Sequence, residues 1–206
     1  MLTVTIIAQK GGAGKTTLAL NLAVAAYLAQ KDAAIIDLDP QGSALKWSRS
    51  RTALTELVEP GVISAHAVAL PDILKSAQEL DFVFIDTAPH ASSDALVAAK
   101  AADIILIPFK PSIMDLHAIG TSFELAAIAK KPVFAVLNMA PSSGSMGKEA
   151  QEYLQDNDLP LCPFHLGNRA AFMRSVTDGK SVLEYEPEGK AASEISDLYT
   201  WLISQF

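Results

Sequence analysis

The fold of this chain is decided near its N-terminus by the stretch Gln9-Lys10-Gly11-Gly12-Ala13-Gly14-Lys15-Thr16-Thr17. An apolar run, Leu2 to Ala8, precedes this stretch, and an amphipathic run, Leu18 to Leu28, follows it. A glycine-rich loop between a strand and a helix binds phosphate, because backbone N–H groups surround the anion at the positive end of the helix. The sequence therefore predicts a phosphate-binding loop made of Lys10, Gly11, Gly12, Ala13, Gly14, Lys15, Thr16 and Thr17.

Two side chains of this loop have the chemistry of a nucleotide site. The Lys15 ammonium would neutralise the β- and γ-phosphates, and the Thr16 hydroxyl would hold Mg²⁺. The structural alternative is a glycine turn that only joins a strand to a helix. Such a turn needs neither the two lysines nor the two threonines of this stretch, so the pattern favours nucleotide binding.

The loop differs from the general pattern G-x-x-x-x-G-K-[ST], because Gln9 stands in place of the first glycine. The chain has K-G-G-x-G-K-T-T instead, with an additional lysine, Lys10, at the loop entrance. This variant resembles the deviant Walker A loop of the ParA/MinD family of ATPases, and among them the small, ParF-like members of the ParA type. The resemblance implies ATP and Mg²⁺ as ligands and an ATP-dependent homodimer. It also implies that Lys10 crosses the dimer interface to the partner's nucleotide.

The composition is that of one cytosolic domain. The chain has 206 residues, half of them apolar, which suits a single P-loop ATPase domain over residues 1–206. No apolar window reaches the length of a membrane span, and the N-terminus lacks the basic start of a signal peptide. We therefore expect a cytoplasmic protein with no membrane partner. The net charge of −7 argues against a protein that coats nucleic acid with its whole surface, but it allows a local basic patch.

Apolar runs bounded by turn residues recur with room for a helix between them, which is the pattern of parallel βαβ units. Strands are predicted near Leu2–Ala8, Ala33–Leu38, Val62–Ala65, Phe82–Ile85, Ile104–Pro108, Val133–Asn138 and Leu161–Phe164. Helices are predicted near Lys15–Ala29, Ala44–Arg51, Leu70–Ala77, Ser92–Ala101, Leu116–Ala129, Lys148–Asn157, Arg169–Asp178 and Ala191–Ser204. The predicted fold is α/β, with a mostly parallel twisted sheet of about seven to eight strands and helices on both faces.

Acidic residues end two of the predicted strands, where ligands bind in open α/β sheets. Asp37 and Asp39 end the second strand with i, i+2 spacing, so both would point to the same side; capping of the next helix is the alternative for Asp37. The segment is similar to the family's D-x-D-P-Q-G switch, which implies that Asp39 is catalytic and orients the attacking water. Asp86 ends the fourth strand as a Walker B acid does, and it would reach Mg²⁺ through water. Asp37 is a further metal candidate.

Two further loops match family segments. The residues after Asp86 resemble the D-[TC]-P-P switch, although Ala88 replaces its first proline. His90 follows and would either sense phosphate or be an exposed bystander. Pro108 to Leu116 matches the proline-bracketed loop after the fifth strand, a stiff edge that could face a dimer partner. Asp115 in this loop is either the acid common there or a helix cap.

The later strands are expected to supply an adenine pocket. Asn138 ends the sixth predicted strand and is similar to the family's L-N segment, whose amide bonds the adenine edge. An asparagine offers both an acceptor and donors, which suits adenine; a turn-forming asparagine is the alternative. Pro163, Phe164 and the loop after them would form the opposite wall. The chain contains no N-K-x-D segment, the guanine reader of GTPases.

Basic residues in the last quarter of the chain are candidates for DNA binding. The sequence from Asn168 to Glu184 resembles the family's late R-x-A-[FY]…G-x-[ST]-V-x-E region, on the side of the dimer that binds DNA without sequence preference. The local pattern alone would be an ordinary solvated helix. The resemblance implies DNA contacts from Arg169, Arg174 and Lys180, with Lys148 and Lys190 as other candidates.

Together these resemblances imply a ParA-type partition ATPase. Its ATP-bound dimer would associate with nucleoid DNA, and hydrolysis with a centromere-binding partner protein would release it, so that a plasmid or chromosome is segregated. A positioning ATPase for another cargo would share every motif. A metabolic P-loop enzyme similar to dethiobiotin synthetase would need a dedicated small-molecule pocket, and no additional catalytic constellation supports it.

Overall fold

The computed structural model describes residues 1–89 and 93–206. Its strands are β1 (Leu2–Ile6), β2 (Ala33–Asp37), β3 (Gly61–Ser64), β4 (Phe82–Asp86), β5 (Ile104–Phe109) and β6 (Val133–Leu137). Its helices are α1 (Lys15–Leu28), α2 (Ser43–Thr55), α3 (Leu70–Ser76), α4 (Ser93–Ala101), α5 (Ile113–Ala129), α6 (Met146–Asp156), α7 (Ala170–Thr177), α8 (Val182–Tyr185) and α9 (Lys190–Ile203). Strands and helices alternate through the first two thirds of the chain, and the predicted α/β class is confirmed.

The strands form one parallel sheet in the order β3-β2-β4-β1-β5-β6. β4 lies between β1 and β2, so that Asp86 is in register with Ile6 on one side and with Asp37 on the other. Because all strands are parallel, their carboxyl ends meet at one edge of the sheet. The loop that follows β1 and the acids that end β2 and β4 are therefore neighbours.

The predicted seventh strand, Leu161–Phe164, is wrong: the described residues form a sheet of six strands. The Cys162 N–H does donate to the Ala135 carbonyl at 2.8 Å, and Leu161 forms an isolated parallel bridge with Ala135. The next ladder bond comes from Leu166 and not from Phe164, since the Leu166 N–H donates to the Leu137 carbonyl at 2.9 Å. Residues 163–165 thus bulge out of the ladder. Pro163 fixes φ near −65°, far from the value of a parallel strand.

Helices cover both faces of the sheet, because the strands are apolar on both sides. In β5, Ile104 and Leu106 point to one face, and Ile105 and Ile107 point to the other. The first face packs mainly against α1 and α9, and the second packs against α4, α5 and α6. In the described part of the chain, no helix is long and apolar enough to cross a membrane.

The predicted helices are all present within a few residues, apart from the start of α4, since Ser92 lies outside the described residues. Sequence reasoning missed α8, which has four residues. A signal for it was present, because Ser181 and Glu184 have the S-x-x-E spacing of a capping box. In the structure both halves of that box are formed.

A buried ion pair joins α2 to α8. The Arg51 side chain is completely buried, and its two terminal nitrogens donate to the two carboxylate oxygens of Glu184 at 2.7 and 2.9 Å. Arg51 also donates to the carbonyl oxygens of Glu59, at 2.7 Å, and Gly179, at 3.1 Å. The guanidinium lies 5.1 Å from the ring centroid of Trp47. This buried cation therefore donates four hydrogen bonds and contacts one aromatic ring, and the pair fixes α2 to the C-terminal third of the chain.

Candidate nucleotide site

The loop between β1 and α1 has the backbone of a phosphate cradle. Gly12 and Gly14 have φ values of 72° and 97°, which residues with a side chain rarely adopt. At Gly14, a Cβ would also lie 2.0 Å from the side-chain nitrogen of Asn138, so only glycine fits there. α1 begins directly after Gly14 with no side-chain cap. The N–H groups of its first turn are consequently available to an anion.

Lys15 is buried at the base of this cradle. Its ammonium donates to the carbonyl oxygen of Ala8 at 3.3 Å. Burial lowers the pKa of Lys15, while the nearby carboxylates of Asp86 and Asp39 act to raise it. Among the described residues this buried cation has one long hydrogen bond and no ion pair, so the two carboxylates compensate its charge only in part. A phosphate group in the cradle would supply the missing negative charge.

Thr16 and Asp86 form a pair that fits a magnesium ion. The Thr16 hydroxyl donates to Asp86 Oδ2 at 2.6 Å, and the second carboxylate oxygen, Oδ1, is buried with no hydrogen-bond partner among the described residues. Burial is the main cause that raises the pKa of Asp86 to about 7. Mg²⁺ prefers hard oxygen ligands and water. A hydroxyl beside an unsatisfied carboxylate oxygen suits that ion, which would also stabilise the ionised carboxylate.

Asp37 and Asp39 lie beside this pair but have different environments. Asp37 is fully buried, and its carboxylate accepts backbone N–H bonds from Asp39, Ala44 and Leu45 at 3.1, 3.0 and 3.2 Å. This carboxylate therefore fixes the start of α2, which was the structural alternative for Asp37. Asp39 is only half-buried and accepts the Gln41 N–H at 2.9 Å. Its second carboxylate oxygen remains able to bind a water molecule.

Lys10 lies at the loop entrance and is held within its own chain. Its ammonium contacts the Asp115 carboxylate at 3.1 Å. Asp115 is almost buried at the start of α5, and it also accepts a short hydrogen bond from the Ser112 hydroxyl. Ser112 in turn caps α5 by accepting the Asp115 N–H. Asp115 is thus part of the helix cap and the partner of Lys10 at the same time.

Asn138 connects the cradle to a neighbouring cleft. Its side-chain nitrogen donates to the Ala13 carbonyl at 2.7 Å, and its side-chain oxygen accepts the Met139 N–H at 2.8 Å. The cleft beside it has a volume of about 470 Å³ and opens next to Thr17. Its lining includes Asn138, Met139, Gly167, Asn168, Arg169, Phe172, Met173 and Val176.

This cleft has the size and the apolar walls that a nucleotide base needs. Of the predicted second wall, Pro163 and Phe164 are exposed and do not line it, whereas Gly167 and Asn168 of the loop after them do. Phe172 and Met173 of α7 also line this cleft. Sequence reasoning missed them because their aromatic and thioether groups have the spacing of an ordinary amphipathic helix.

The basic residues predicted to bind DNA are not equivalent. Arg169 forms an ion pair with Glu194 of α9, in which Arg169 Nε lies 3.0 and 3.1 Å from the two carboxylate oxygens. Its hydrogen bonds to Glu194 raise the pKa of Arg169. Arg174 is exposed and lines a second cleft together with Arg169 and Lys190. Lys180 lies outside that cleft, and its carbonyl accepts the Trp47 indole N–H at 3.2 Å.

In the described part of the chain, neither Arg174 nor Lys190 is in an ion pair. The charge of Arg169 is balanced, and Lys148 is paired with Glu152. The positive charge available to a polyanion is therefore carried by Arg174 and Lys190 more than by Arg169. His90 lies outside the described residues.

The comparison with known proteins identifies the family. A family model described as the CobQ/CobB/MinD/ParA nucleotide binding domain matches residues 4–182. The chain belongs to the CobQ/CobB/MinD/ParA family. The predicted ParA/MinD resemblance is thereby confirmed, and the glycine loop lies within the nucleotide-binding domain of that family.

Individual relatives of this ParA/MinD-family chain have different tasks. The maintenance of carboxysome distribution protein A of Gloeobacter kilaueensis is 33% identical over 197 residues, covering 93% of this chain and 87% of that protein. The chromosome-partitioning ATPase Soj of Thermus thermophilus is 33% identical over 142 residues, covering 54% of this chain and 56% of Soj. The fold is shared with MinD of Pyrococcus horikoshii complexed with Mg-ADP, with a TM-score of 0.78 at 19% identity over 98% of this chain and 95% of MinD.

Proposed function

We propose that this protein is a Mg²⁺-dependent ATPase whose nucleotide cycle positions a large cargo in the cell. The observation that carries the proposal is the buried Asp86 oxygen that has no hydrogen-bond partner among the described residues, beside the Thr16 hydroxyl and a loop with two glycines at positive φ. Within a phosphate-binding loop, that arrangement suits a metal-bound nucleotide and no purely structural role. Mg-ADP in the structure of Pyrococcus horikoshii MinD supports the same ligands for this chain.

The present contacts of each site residue allow it a specific role in nucleotide binding or hydrolysis. Lys15 exchanges the Ala8 carbonyl for the phosphates, because a buried ammonium gains more from an anion than from one carbonyl at 3.3 Å. The Thr16 hydroxyl and the Asp86 carboxylate would hold Mg²⁺, which would supply positive charge to the phosphates when bound. Asp39, half-buried near Lys15, orients the water that attacks the terminal phosphate.

We propose a positioning task in place of plasmid or chromosome segregation as the first hypothesis. The support is that a carboxysome distribution protein matches 93% of this chain, whereas Soj matches 54% at the same identity. The Soj match favours the second hypothesis, partition with a centromere-binding protein. In both cases we propose one ATPase domain over residues 1–206, an ATP-dependent homodimer, and a cytoplasmic protein that associates with nucleoid DNA when ATP-bound.

Hydrolysis is tested with phosphate release and nucleotide binding on purified protein. Lys15→Ala should lose nucleotide binding, because the cradle then lacks the charge that neutralises the β- and γ-phosphates. Asp39→Ala should bind ATP, hydrolyse it slowly and persist as a dimer. Lys100→Ala is the matched control, since Lys100 is exposed on α4 at the opposite edge of the sheet. ATP binding by Lys15→Ala at the level of the control would disprove the site.

The task is tested in cells and with DNA. Deletion of the gene should leave a large cytoplasmic assembly clustered and should not raise the frequency of plasmid-free or chromosome-free cells; the reverse result would favour partition. The Asp39→Ala protein with ATP should be retained on unrelated DNA duplexes at low salt and released steeply as salt rises. Arg174→Glu should weaken retention, whereas Lys100→Glu should not. No retention of an intact dimer at low salt would exclude DNA as its track.

A further inference from the structure

A third lysine lies at the glycine loop, in addition to Lys10 and Lys15. The ammonium of Lys110 is 3.6 Å from the point that a Cβ of residue 12 would occupy. Lys110 directly follows β5, the neighbour of β1, so the sheet itself brings it to the loop. The sequence contained this residue only as part of a proline-bracketed loop, and nothing in its spacing indicated a position over Gly12.

The backbone around Lys110 holds it in place. The Lys110 carbonyl accepts the Ser112 N–H at 2.7 Å, and the preceding carbonyl, of Phe109, accepts the Asn138 N–H at 2.8 Å. Pro111 fixes the next φ angle. Lys110 is half-buried, and the stiff backbone fixes the position from which its side chain reaches the loop.

The three lysines differ in their negative partners. Lys10 is paired with Asp115, and Lys15 is close to Asp86 and Asp39. Across residues 1–89 and 93–206, Lys110 is in no ion pair, and its ammonium donates no hydrogen bond. An unpaired ammonium held over a phosphate cradle has a natural partner in the phosphate itself.

We propose that Lys110 binds the terminal phosphate of the nucleotide held in the glycine loop of its own chain. This inference rests on the proposed nucleotide site. The helical end of such a loop takes the α- and β-phosphates, with its lysine reaching the β- and γ-phosphates. Gly12 lies toward the opposite end, two residues from Lys10 at the entrance. A cation over Gly12 is therefore directed at the end of the phosphate chain and distinguishes ATP from ADP.

The test measures the affinity of Mg-AMPPNP and of Mg-ADP by calorimetry, at a protein concentration where sedimentation shows monomers. Lys110→Gln should lower the affinity for Mg-AMPPNP about tenfold, as expected for the loss of one charge-assisted hydrogen bond. It should lower the affinity for Mg-ADP less than about twofold. Lys110→Arg should restore most of the AMPPNP affinity. Lys100→Gln, which removes the same charge from an exposed position at the other edge of the sheet, should behave as the parent.

The outcomes separate this inference from the proposed function. Unchanged affinities in Lys110→Gln would overturn it, and so would an equal loss for AMPPNP and ADP, since neither is expected of a contact to the terminal phosphate. Failure of the parent protein to bind either nucleotide would overturn the proposed function and this inference with it. The unfolding temperature without nucleotide should not change in Lys110→Gln, which excludes a merely structural effect.

Discussion

Glu184→Gln should be strongly destabilising although it changes only one side-chain atom. The substitution removes the negative charge facing Arg51, whose side chain has 0% exposure, while the Glu184 side chain has 15%. Removing one partner of a buried ion pair costs about 3–5 kcal/mol, because the other charge stays buried without compensation. Arg51 keeps the carbonyl acceptors of Glu59 and Gly179, so we expect the lower end, about 3 kcal/mol. For a chain of this size that is a decrease of roughly 10 °C in unfolding temperature.

The assay is urea unfolding followed by circular dichroism, with Glu152→Gln as the matched control. Glu152 pairs with Lys148 at 3.4 Å, but their side chains are 54% and 80% exposed. Glu152→Gln should therefore lower the free energy of unfolding by less than about 0.5 kcal/mol. A loss of under about 1 kcal/mol in Glu184→Gln would refute the reasoning, because solvent or another group would then be compensating the Arg51 charge.

The pH dependence provides an independent check on the same pair. Burial alone would raise the pKa of Glu184, but the hydrogen bonds from Arg51 and from the Ser181 N–H and hydroxyl outweigh it, and the pKa is lowered below its usual value of 4.5. A carboxyl group with a lowered pKa in the folded state binds its proton more readily when unfolded. Its contribution to stability is therefore complete above pH 4.5 and is lost as the pH falls through the folded-state pKa. Glu184→Gln should abolish that part of the acid dependence.

Three further changes test other parts of the structure. Gly179→Ala should lower the free energy of unfolding by about 2 kcal/mol or more, because φ is 66° and the new Cβ would lie 2.6 Å from Arg51 backbone atoms. An unchanged midpoint of urea unfolding would contradict this. Since burial raises the pKa of Asp86 to about 7, the Mg²⁺-free protein should lose about 2–3 kcal/mol of stability as the pH rises from 5 to 7. Asp86→Asn should remove both that loss and the stabilisation by Mg²⁺. A pH slope as steep as that of the parent protein would assign the loss to another group. Asn138→Ala should weaken the binding of ATP and of GTP equally if the hydrogen bond from Asn138 to the Ala13 carbonyl positions the loop. Loss of ATP binding alone would instead indicate that Asn138 recognises the adenine base.

The features that were predictable from the sequence are those set by local chemistry. The glycine loop, the strands around it and the acids at the strand ends follow from residue type and apolar pattern, and the parallel sheet then places Asp86 beside the loop. The prediction for Asp37 left two roles open, and its three backbone hydrogen bonds show it holding the start of α2.

Other features depend on contacts between distant segments and were not predictable. The predicted strand at Leu161–Phe164 has the right apolar composition, but whether it joins the sheet depends on the path around Pro163. Lys110 and Gly12 are far apart in sequence and meet only because β5 pairs with β1. The balance of charge on Arg169 likewise depends on Glu194 from another helix. A single sequence contains no periodic signal for such pairs.

The environment of Asp37 changes how mutagenesis at this site should be interpreted. Its two carboxylate oxygens accept the N–H groups of Asp39, Ala44 and Leu45. A variant such as Asp37→Ala would release the segment that carries Asp39 and would leave three buried or half-buried N–H donors without an acceptor. A loss of the proposed ATPase activity in this variant would then resemble that of a lost metal ligand, although the missing element is a scaffold for the neighbouring acid. Adding Mg²⁺ in excess separates the two causes: it rescues a weakened metal site, but it cannot restore the position of Asp39.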